Sequence, residues 1–347
     1  MGGIATHGTG RFQRVIASAL DRIADADPDV FAYGNLATAY FYLDRFPEVE
    51  STLQQASERK LEQPSALVLL HTIAVLRGDQ DQMDRVMALA KGRSGAEHPM
   101  AHAEALALAR SGRLQAARSS SIRAADLARQ AGEPESTASY QAARAVWEAI
   151  YGNAAEGKRN ATAALGLSNG RDVEYSAGLA FALSEDFSRS EELAGDLEKR
   201  FPEDTFVKFT YAPVLHALAA LGRGKPGDAV ERLQVAIPYE LAINGLNFSH
   251  YYLGGLHSAY VRGEALMATH AYAAAAVEFQ KILDHRGIVG ADPIGALAHL
   301  QLGRAFAQSG DATKARASYQ AFLALWKDAD SGIPILEEAR AESARLK

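Results

Sequence analysis

Two short stretches of the sequence contain the residue types of chemical sites. Residues 166–170 read Gly-Leu-Ser-Asn-Gly, the pattern of a turn that exposes a nucleophilic serine between a strand and a helix. A helical stretch, ATAALGL, precedes this turn where a strand is required, so we expect the turn to end a helix. Residues 222–228 join glycine to lysine as a phosphate-binding loop does. Pro226 stands where that loop needs serine or threonine, so phosphate binding is not expected.

Two histidines have the spacing of metal ligands on one helix face, because His98 and His102 are four residues apart. Pro99 predicts that the helix begins after His98, and no third ligand lies nearby in the sequence. We therefore expect no metal and no other cofactor. No pattern predicts a catalytic residue, so a role other than catalysis is favoured.

The composition limits the classes of partner. The 347 residues include 36 Lys and Arg against 42 Asp and Glu, a formal net charge of −6, which argues against direct binding of nucleic acid. The chain has no cysteine, which excludes disulfides and thiolate metal sites. The sequence has neither a secretory signal nor an apolar run long enough to cross a bilayer. We expect a cytoplasmic protein, or a periplasmic one if the chain is a fragment of a membrane-anchored parent.

A repeated unit organises the chain and must position any site. Each unit has an apolar helical stretch, a short turn and a second helical stretch with alanine at fixed places. Successive turns are 33 to 46 residues apart, and intervals near 34 are typical of a helix-pair repeat. The first residues of the turns are Asp44, Gly78, Gly112, Gly152, Glu185, Gly224, His270 and Gly310.

Small residues recur at fixed distances from these turns. They allow two helices to approach closely, since larger side chains would overpack the contact. Seven residues before the turn, the chain has Ala37, Ala105, Ala145, Gly178, Ala217, Gly263 and Gly303, with His71 as the exception. Five residues after the turn, alanine occurs at Ala117, Ala229, Ala275 and Ala315.

Residues 32–56 and 294–326 are the clearest units. In them the chain resembles the tetratricopeptide repeat family. Residues 278–326 are similar to the C-terminal arrays of bacterial eukaryotic-type Ser/Thr protein kinases and of some winged-helix regulators. The resemblance implies an all-α solenoid, a right-handed superhelix of about eight helix pairs, that binds a protein or peptide in bacterial signalling. No kinase motif is present, so kinase activity is not implied.

We expect four segments along the chain. Residues 1–10 are predicted to be a disordered or artificial N-terminus, and residues 11–28 a half-repeat, the second helix of a unit that lacks its first. Residues 29–330 form the array, and residues 331–347 a C-terminal capping helix. The half-repeat either caps the array or marks the chain as a fragment of a longer protein, which we favour. An uncovered half-repeat could also support self-association.

The longest interval between turns contains residues 238–260, which are rich in Asn, Tyr, His and Gly. Long insertions in repeat arrays form loops on one face, and such loops often carry function. His250, Tyr251 and His257 could form a polar recognition patch here. The favoured alternative is a connector whose tyrosines pack between units.

A second loop is expected over residues 284–295. His285 and Arg286 follow a predicted helix, whose C-terminus favours positive charge, and Gly287 is predicted to adopt the left-handed cap conformation. We interpret this segment as structural.

The resemblance implies that the first helix of each unit lines a concave groove, whose apolar middle suits an amphipathic helix or an extended peptide. Asn35 alone matches the Lys and Asn set with which family members hold a peptide carboxylate, so that activity is not implied. We expect an interaction scaffold that holds a peptide or partner protein in the groove. Two alternatives stay open, an enzyme or small-molecule receptor with a site near residues 238–260 and a self-associating scaffold. The predicted binding residues are Thr38, Tyr42, His102, Arg110, Tyr251, His257, Tyr260, Glu264 and Arg304.

Overall fold

The computed structural model describes residues 6–24, 30–242 and 255–346. In these ranges the elements are helices joined by turns and short connections, with no strand, which confirms the predicted all-α fold. No helix there is long and apolar enough to cross a bilayer. The α-helices are α1 (Thr6–Ala24), α2 (Val30–Tyr42), α3 (Phe46–Glu58), α4 (Ser65–Arg77), α5 (Gln80–Ala90), α6 (Glu97–Arg110), α7 (Leu114–Gln130), α8 (Pro134–Ile150), α9 (Ala154–Leu165), α10 (Arg171–Leu183), α11 (Phe187–Arg200), α12 (Ala212–Gly222), α13 (Pro226–Arg232), α14 (His257–Ala268), α15 (Tyr272–Asp284), α16 (Arg286–Val289), α17 (Ile294–Gln308), α18 (Ala312–Leu325) and α19 (Pro334–Ala344).

The eight predicted turns join eight helix pairs within the described residues, from α2/α3 to α17/α18. The first residue of every turn has a positive φ, from 58° at Asp44 to 84° at Gly152. Five of the eight are glycine, which adopts this conformation without the steric cost that a Cβ brings. The local chemistry of the turns therefore sets where the first helix of each pair ends and the second begins.

The small residues on either side of the turns are buried where helices meet. The four alanines five residues after a turn are all 0% exposed. A Cβ on Gly263 would lie 2.6 Å from the Phe279 ring, and one on Gly178 would lie 2.8 Å from Leu215. Since no side chain fits at these positions, the predicted close approach of the helices is confirmed.

The sixth pair departs from the regular pattern. A π-helix (Val207–Tyr211) precedes α12, and α13 continues into a 3₁₀ helix (Leu233–Tyr239) that contains Pro238. Residues 243–254, most of the insertion predicted at 238–260, lie outside the described residues. The described end of the insertion, from Gly255, leads directly into α14.

The segment predicted as a loop at 284–295 contains the short helix α16, and the prediction for Gly287 was wrong. Gly290, with φ 58°, adopts the positive φ, whereas Gly287 lies inside α16. A Cβ on Gly287 would lie 1.9 Å from the Phe41 carbonyl oxygen. Glycine is needed at this position because the backbones of α16 and α2 approach too closely for a side chain.

The end of the array touches its beginning, and these contacts are here called the closure contact. Trp326 Nε1 donates to the Arg110 carbonyl oxygen at 2.9 Å, and Asp330 N donates to the Gly112 carbonyl oxygen at 3.0 Å. The Gly287 N–H donates to Asp44 Oδ1 at 2.7 Å. The eighth pair therefore packs against the third, and α16 against the first.

Candidate functional site

Eight of the nine predicted binding residues are described, and Tyr251 lies outside the described residues. Six of the eight belong to the third, seventh and eighth pairs, which meet where the array closes: His102, Arg110, His257, Tyr260, Glu264 and Arg304. The other two, Thr38 and Tyr42, belong to the first pair.

Asp292 connects two of these predicted residues from distant parts of the chain. Arg110 Nη1 donates to the Asp292 carbonyl oxygen at 3.2 Å, and His257 Nε2 lies 3.1 Å from Asp292 Oδ2. The second carboxylate oxygen accepts from the N–H of Ile294, the first residue of α17, at 3.0 Å. Asp292 is 0% exposed and His257 5%, so both groups are engaged in contacts between repeats.

Tyr260, Glu264 and Arg304 also contact other parts of the array. Gln301 Nε2 lies 3.4 Å from both the Tyr260 hydroxyl and Glu264 Oε1. Burial raises the pKa of the Glu264 carboxyl to about 7, against the opposing effects of Tyr260 and Arg304. Arg304 forms an ion pair with Glu342 of α19 at 2.9 Å. Thus α19 contacts Arg304, a side chain that was predicted to bind a partner protein.

The two histidines with metal-ligand spacing both contact Tyr140. His98 Nδ1 lies 2.9 Å from the Tyr140 hydroxyl, and the His102 ring stacks on the Tyr140 ring with centroids 4.3 Å apart. The prediction that His98 precedes the helix was wrong, because α6 begins at Glu97 and proline is tolerated in a first turn. Among the described residues, no group of three or more His, Asp or Glu could hold a metal ion.

The Gly-Leu-Ser-Asn-Gly stretch lies between α9 and α10, so the predicted helix-ending turn is confirmed. The Ser168 hydroxyl donates to the Glu135 carboxylate. This geometry is that of a connection between repeats, without the strand that a nucleophile turn requires.

The two predicted residues of α2 lie in different surroundings. Tyr42 is 4% exposed, its ring centroid is 5.2 Å from that of Phe12 on α1, and burial raises the pKa of its hydroxyl. Thr38 lines an open groove formed by the first two helix pairs. Of the eight predicted binding residues that the structure describes, Thr38 alone is in the lining of this groove.

This groove lies among α2, α3, α4 and α5 and is here called the N-terminal groove. Its cavity volume is about 1030 Å³. Two apolar side chains in its lining are largely in water, Phe31 at 65% and Leu89 at 61% exposed. The lining also includes Asn35, Thr38, Leu53, Gln54, Leu61, Gln63, Leu67 and Leu70.

The N-terminal groove has little free charge. Its charged lining residues are Glu50, Glu62 and Arg93. Glu50 forms an ion pair with Arg77 at 2.6 Å, and Glu62 forms one with Arg93 at 2.9 Å. Hydrogen bonds from Ser57 and from Arg93 lower the pKa of the Glu62 carboxyl. Each charge in the lining therefore already has a partner of opposite sign.

Tyr33 is a lining residue that is almost completely buried. Its side chain is 1% exposed, and its buried hydroxyl has no hydrogen-bond partner among the described residues. The Arg59 guanidinium lies 5.9 Å from the centre of the ring and not at the hydroxyl. A buried hydroxyl without a partner costs about 1–3 kcal/mol, so such groups are uncommon in folded proteins.

The groove depends on a close contact between α2 and the α3–α4 connection. Gln63 Nε2 donates to the Val30 carbonyl oxygen at 3.3 Å. A Cβ on Gly34 would lie 2.6 Å from Gln63 Oε1, so glycine lets the amide side chain lie flat against α2. Tyr33, Gly34 and Gln63 were not among the predicted binding residues, although Gly34 inside an apolar helix was a usable signal of close approach.

Comparison with known proteins concerns the fold alone. No model of a protein family matches the chain, and no curated protein matches it. Among solved structures, the chain is similar to a tetratricopeptide repeat protein from Parabacteroides merdae, with 12% identity, TM-score 0.44 and coverage of 81% of this chain and 98% of that one. It is also similar to yeast Tom70, with 13% identity, TM-score 0.37 and coverage of 99% and 93%. The description of the chain as an array of stacked helix pairs rests on the turns and packing described above.

Proposed function

We propose that the chain is a protein-interaction module that binds an extended segment of a partner protein in the N-terminal groove. The observation that carries this proposal is the cavity of about 1030 Å³ between the first two helix pairs. Ligand sites typically have volumes of about 300–1,000 Å³, so the groove has room for several side chains of a peptide. Phe31 and Leu89 supply apolar area that the protein alone leaves in water.

The polar side chains of the lining favour an extended segment over a helix. Asn35 and Gln54 carry amides that can both donate and accept hydrogen bonds. The backbone of a helix bonds to itself, whereas an extended strand presents free N–H and C=O groups to such amides. The groove can therefore hold a strand by its backbone and its apolar side chains together.

The concave face predicted from the family resemblance supports this function less well. Arg110 and His257 contact Asp292, and Arg304 contacts Glu342, so a partner at these residues must displace contacts of the array itself. The contact between His257 and Asp292 also weakens the case for a small-molecule site near residues 238–260. His257 is the residue of the predicted polar patch that the structure describes, and it is buried in this contact.

Site-specific crosslinking tests the proposal, because a chain without cysteine accepts a single labelled thiol. Gln54 lines the groove, whereas its neighbour Gln55 is also exposed but lies outside the lining. Short peptides are first selected on the wild-type protein from a random display library. The Gln54→Cys and Gln55→Cys variants then each receive a benzophenone label.

We expect selected peptides to crosslink to the label at Gln54 and only weakly to the label at Gln55. Equal yields at the two positions, or a library that yields no binding peptide, would contradict the proposal.

A further inference from the structure

We propose that a pH-sensitive switch controls the docking of the C-terminal helix α19, because Glu264 and Glu342 compete for the guanidinium of Arg304. When Glu264 is protonated, Arg304 holds α19 through Glu342. When Glu264 is ionised, Arg304 pairs with Glu264 and α19 is released from the array. The switch is separate from the N-terminal groove, whose lining includes no residue of α19.

Polar contacts of α19 converge on Arg304 of α17. Its Nε donates to Glu342 Oε2 at 2.9 Å, and its Nη2 donates to Glu342 Oε1 at 2.9 Å and to Glu338 Oε2 at 3.0 Å. The Tyr319 hydroxyl also donates to Glu342 Oε2, at 2.9 Å. Bonds between a guanidinium and a carboxylate are among the stronger hydrogen bonds in proteins, so α19 loses much of its attachment if Arg304 turns away.

The apolar attachment of α19 is small. The helix has eleven residues, of which Leu336 and Ala339 are buried, at 1% and 0% exposed. Helices of this length are marginal in water when they stand alone, so α19 depends on its contacts with the array. Leu336 and Ala339 belong to the same buried cluster as Phe322 of α18. Release of α19 would therefore expose apolar surface at the end of the array.

Glu264 of α14 faces the same stretch of α17. Gln301 and Arg304 are three residues apart and so lie on one face of α17, and Gln301 Nε2 is 3.4 Å from Glu264 Oε1. In the described chain, Tyr260 on α14 itself and Arg304 on α17 are the titratable groups that act on the Glu264 carboxyl, with none from α12, α13 or α15. The ion pairs of Arg304 are with α19 instead.

Protonation of Glu264 is therefore linked to docking of α19. While α19 is docked, burial raises the pKa of the Glu264 carboxyl from 4.5 to about 7. A direct pair with Arg304 would lower this pKa, because an opposite charge favours the ionised form. The docked state thus binds the proton more tightly than the released state. Docking is favoured below the pKa of the released state and weakens as pH rises through about 7.

Thiol reactivity measures docking directly, because the chain has no cysteine of its own. Ala339→Cys places a thiol beneath α19, and Ala341→Cys places one on its exposed side. The ratio of their rates of reaction with iodoacetamide gives the protection of position 339 and cancels the intrinsic pH dependence of a thiol. Ala194→Cys on α11, where alanine is also 0% exposed, reports unfolding of the array as a whole.

We expect the protection at position 339 to fall at least about tenfold between about pH 5.5 and about pH 8. One unit of pKa difference between the docked and released states changes the docking equilibrium tenfold. In the Glu264→Gln background the protection should stay constant over this range, because an amide does not ionise. Position 194 should remain protected throughout.

A second pair of variants tests the contact with Arg304. We expect Glu342→Gln to lower the protection at position 339 at about pH 5.5, since a neutral amide binds a guanidinium less strongly than a carboxylate does. Glu337→Gln is the matched control, because Glu337 pairs with Arg340 within α19 at 3.1 Å. This variant should leave the protection unchanged.

Equal falls in protection with Glu264 and with Gln at position 264 would overturn the switch, as would protection that does not change with pH. A parallel loss at positions 339 and 194 would overturn it too, since the whole array would then be unfolding. Equal losses for Glu342→Gln and Glu337→Gln would contradict the role of Arg304.

Discussion

The first two helix pairs and the last two are built from the same unit but end in different surroundings. In the first two, α2 to α5 enclose the N-terminal groove, and Phe31 remains 65% exposed. In the last two, Trp326 is 1% exposed and its indole lies against the third pair. The repeat sequence alone does not determine whether a surface is exposed to solvent, because contacts with other units of the array can bury it.

The two regions therefore differ in their expected roles, with the contacts at the end of the array contributing to stability and the N-terminal groove to binding of a partner. Polar groups at the closure contact are mutually satisfied, as between Asp292, Arg110 and His257. The N-terminal groove instead leaves the apolar side chains of Phe31 and Leu89 largely exposed. Exposed apolar groups add little to folding and are available for binding, so substitutions in the two regions should have opposite readouts.

The largest effect is expected from Trp326→Ala at the closure contact. The indole donates to the Arg110 carbonyl oxygen and packs on Tyr151, with centroids 5.3 Å apart. Truncation of a buried tryptophan costs about 3–5 kcal/mol, which denaturant unfolding would measure. The neighbouring Leu325, 39% exposed, is the control, and Leu325→Ala should cost far less. Equal losses for the two variants would show that Trp326 does not hold the ends together.

A smaller loss is expected from Gly287→Ala. The new Cβ would lie 1.9 Å from the Phe41 carbonyl oxygen, so α16 must move away from α2. Overpacking of this kind costs about 1–3 kcal/mol. Gly195→Ala, where nothing lies within 4 Å of the added carbon, should be neutral or stabilising. Thermal unfolding of both variants checks the prediction, and an unaltered Tm for Gly287→Ala would argue against the α16–α2 contact.

The pH dependence of stability should depend on Glu264 near the closure contact. Its pKa is raised by burial from 4.5 to about 7, so the folded protein holds a proton that the unfolded chain releases. Stability from this group is therefore lost as pH rises from about 4.5 to about 7. We expect Glu264→Gln to lose less stability than the wild type across this range, measured as Tm at several pH values. Parallel profiles for the two proteins would refute the assignment.

The smallest effect on stability, and a clear effect on binding, is expected from Phe31→Ala. An exposed side chain contributes little to folding, so unfolding should change by less than about 0.5 kcal/mol. Affinity for the selected peptide should fall by about 1–2 kcal/mol through lost apolar contact. Leu20→Ala on α1, also exposed at 46% but outside the groove, should leave the affinity unchanged. Similar affinities for both variants would place the peptide elsewhere.

The helix pairs could be predicted from the sequence because their signals are local. Each turn residue, from Asp44 to Gly310, lies where positive φ ends a helix, and the alanines at fixed spacing mark the contacts. The closure contact could not be predicted this way. Trp326 and Arg110 are far apart in sequence and meet only because small rotations between units add up along the array.

Little of the candidate site could be predicted. Thr38 is in the lining of the N-terminal groove, which includes both helices of the first pair and is not the concave face that the resemblance implies, whereas Arg110, His257 and Arg304 contact other parts of the array. A helix position shows which face a side chain occupies but not which distant unit covers that face. The connection from α3 to α4, which shapes the N-terminal groove through Gln63, has no place in the repeat pattern.

Hydrogen exchange with and without the selected peptide tests the division between the two regions most directly, because it reports protection along the whole backbone. The account predicts that the peptide slows exchange in α2 to α5 and leaves α14 to α18 unchanged. Protection concentrated in α14 to α18, with none in α2 to α5, would contradict it.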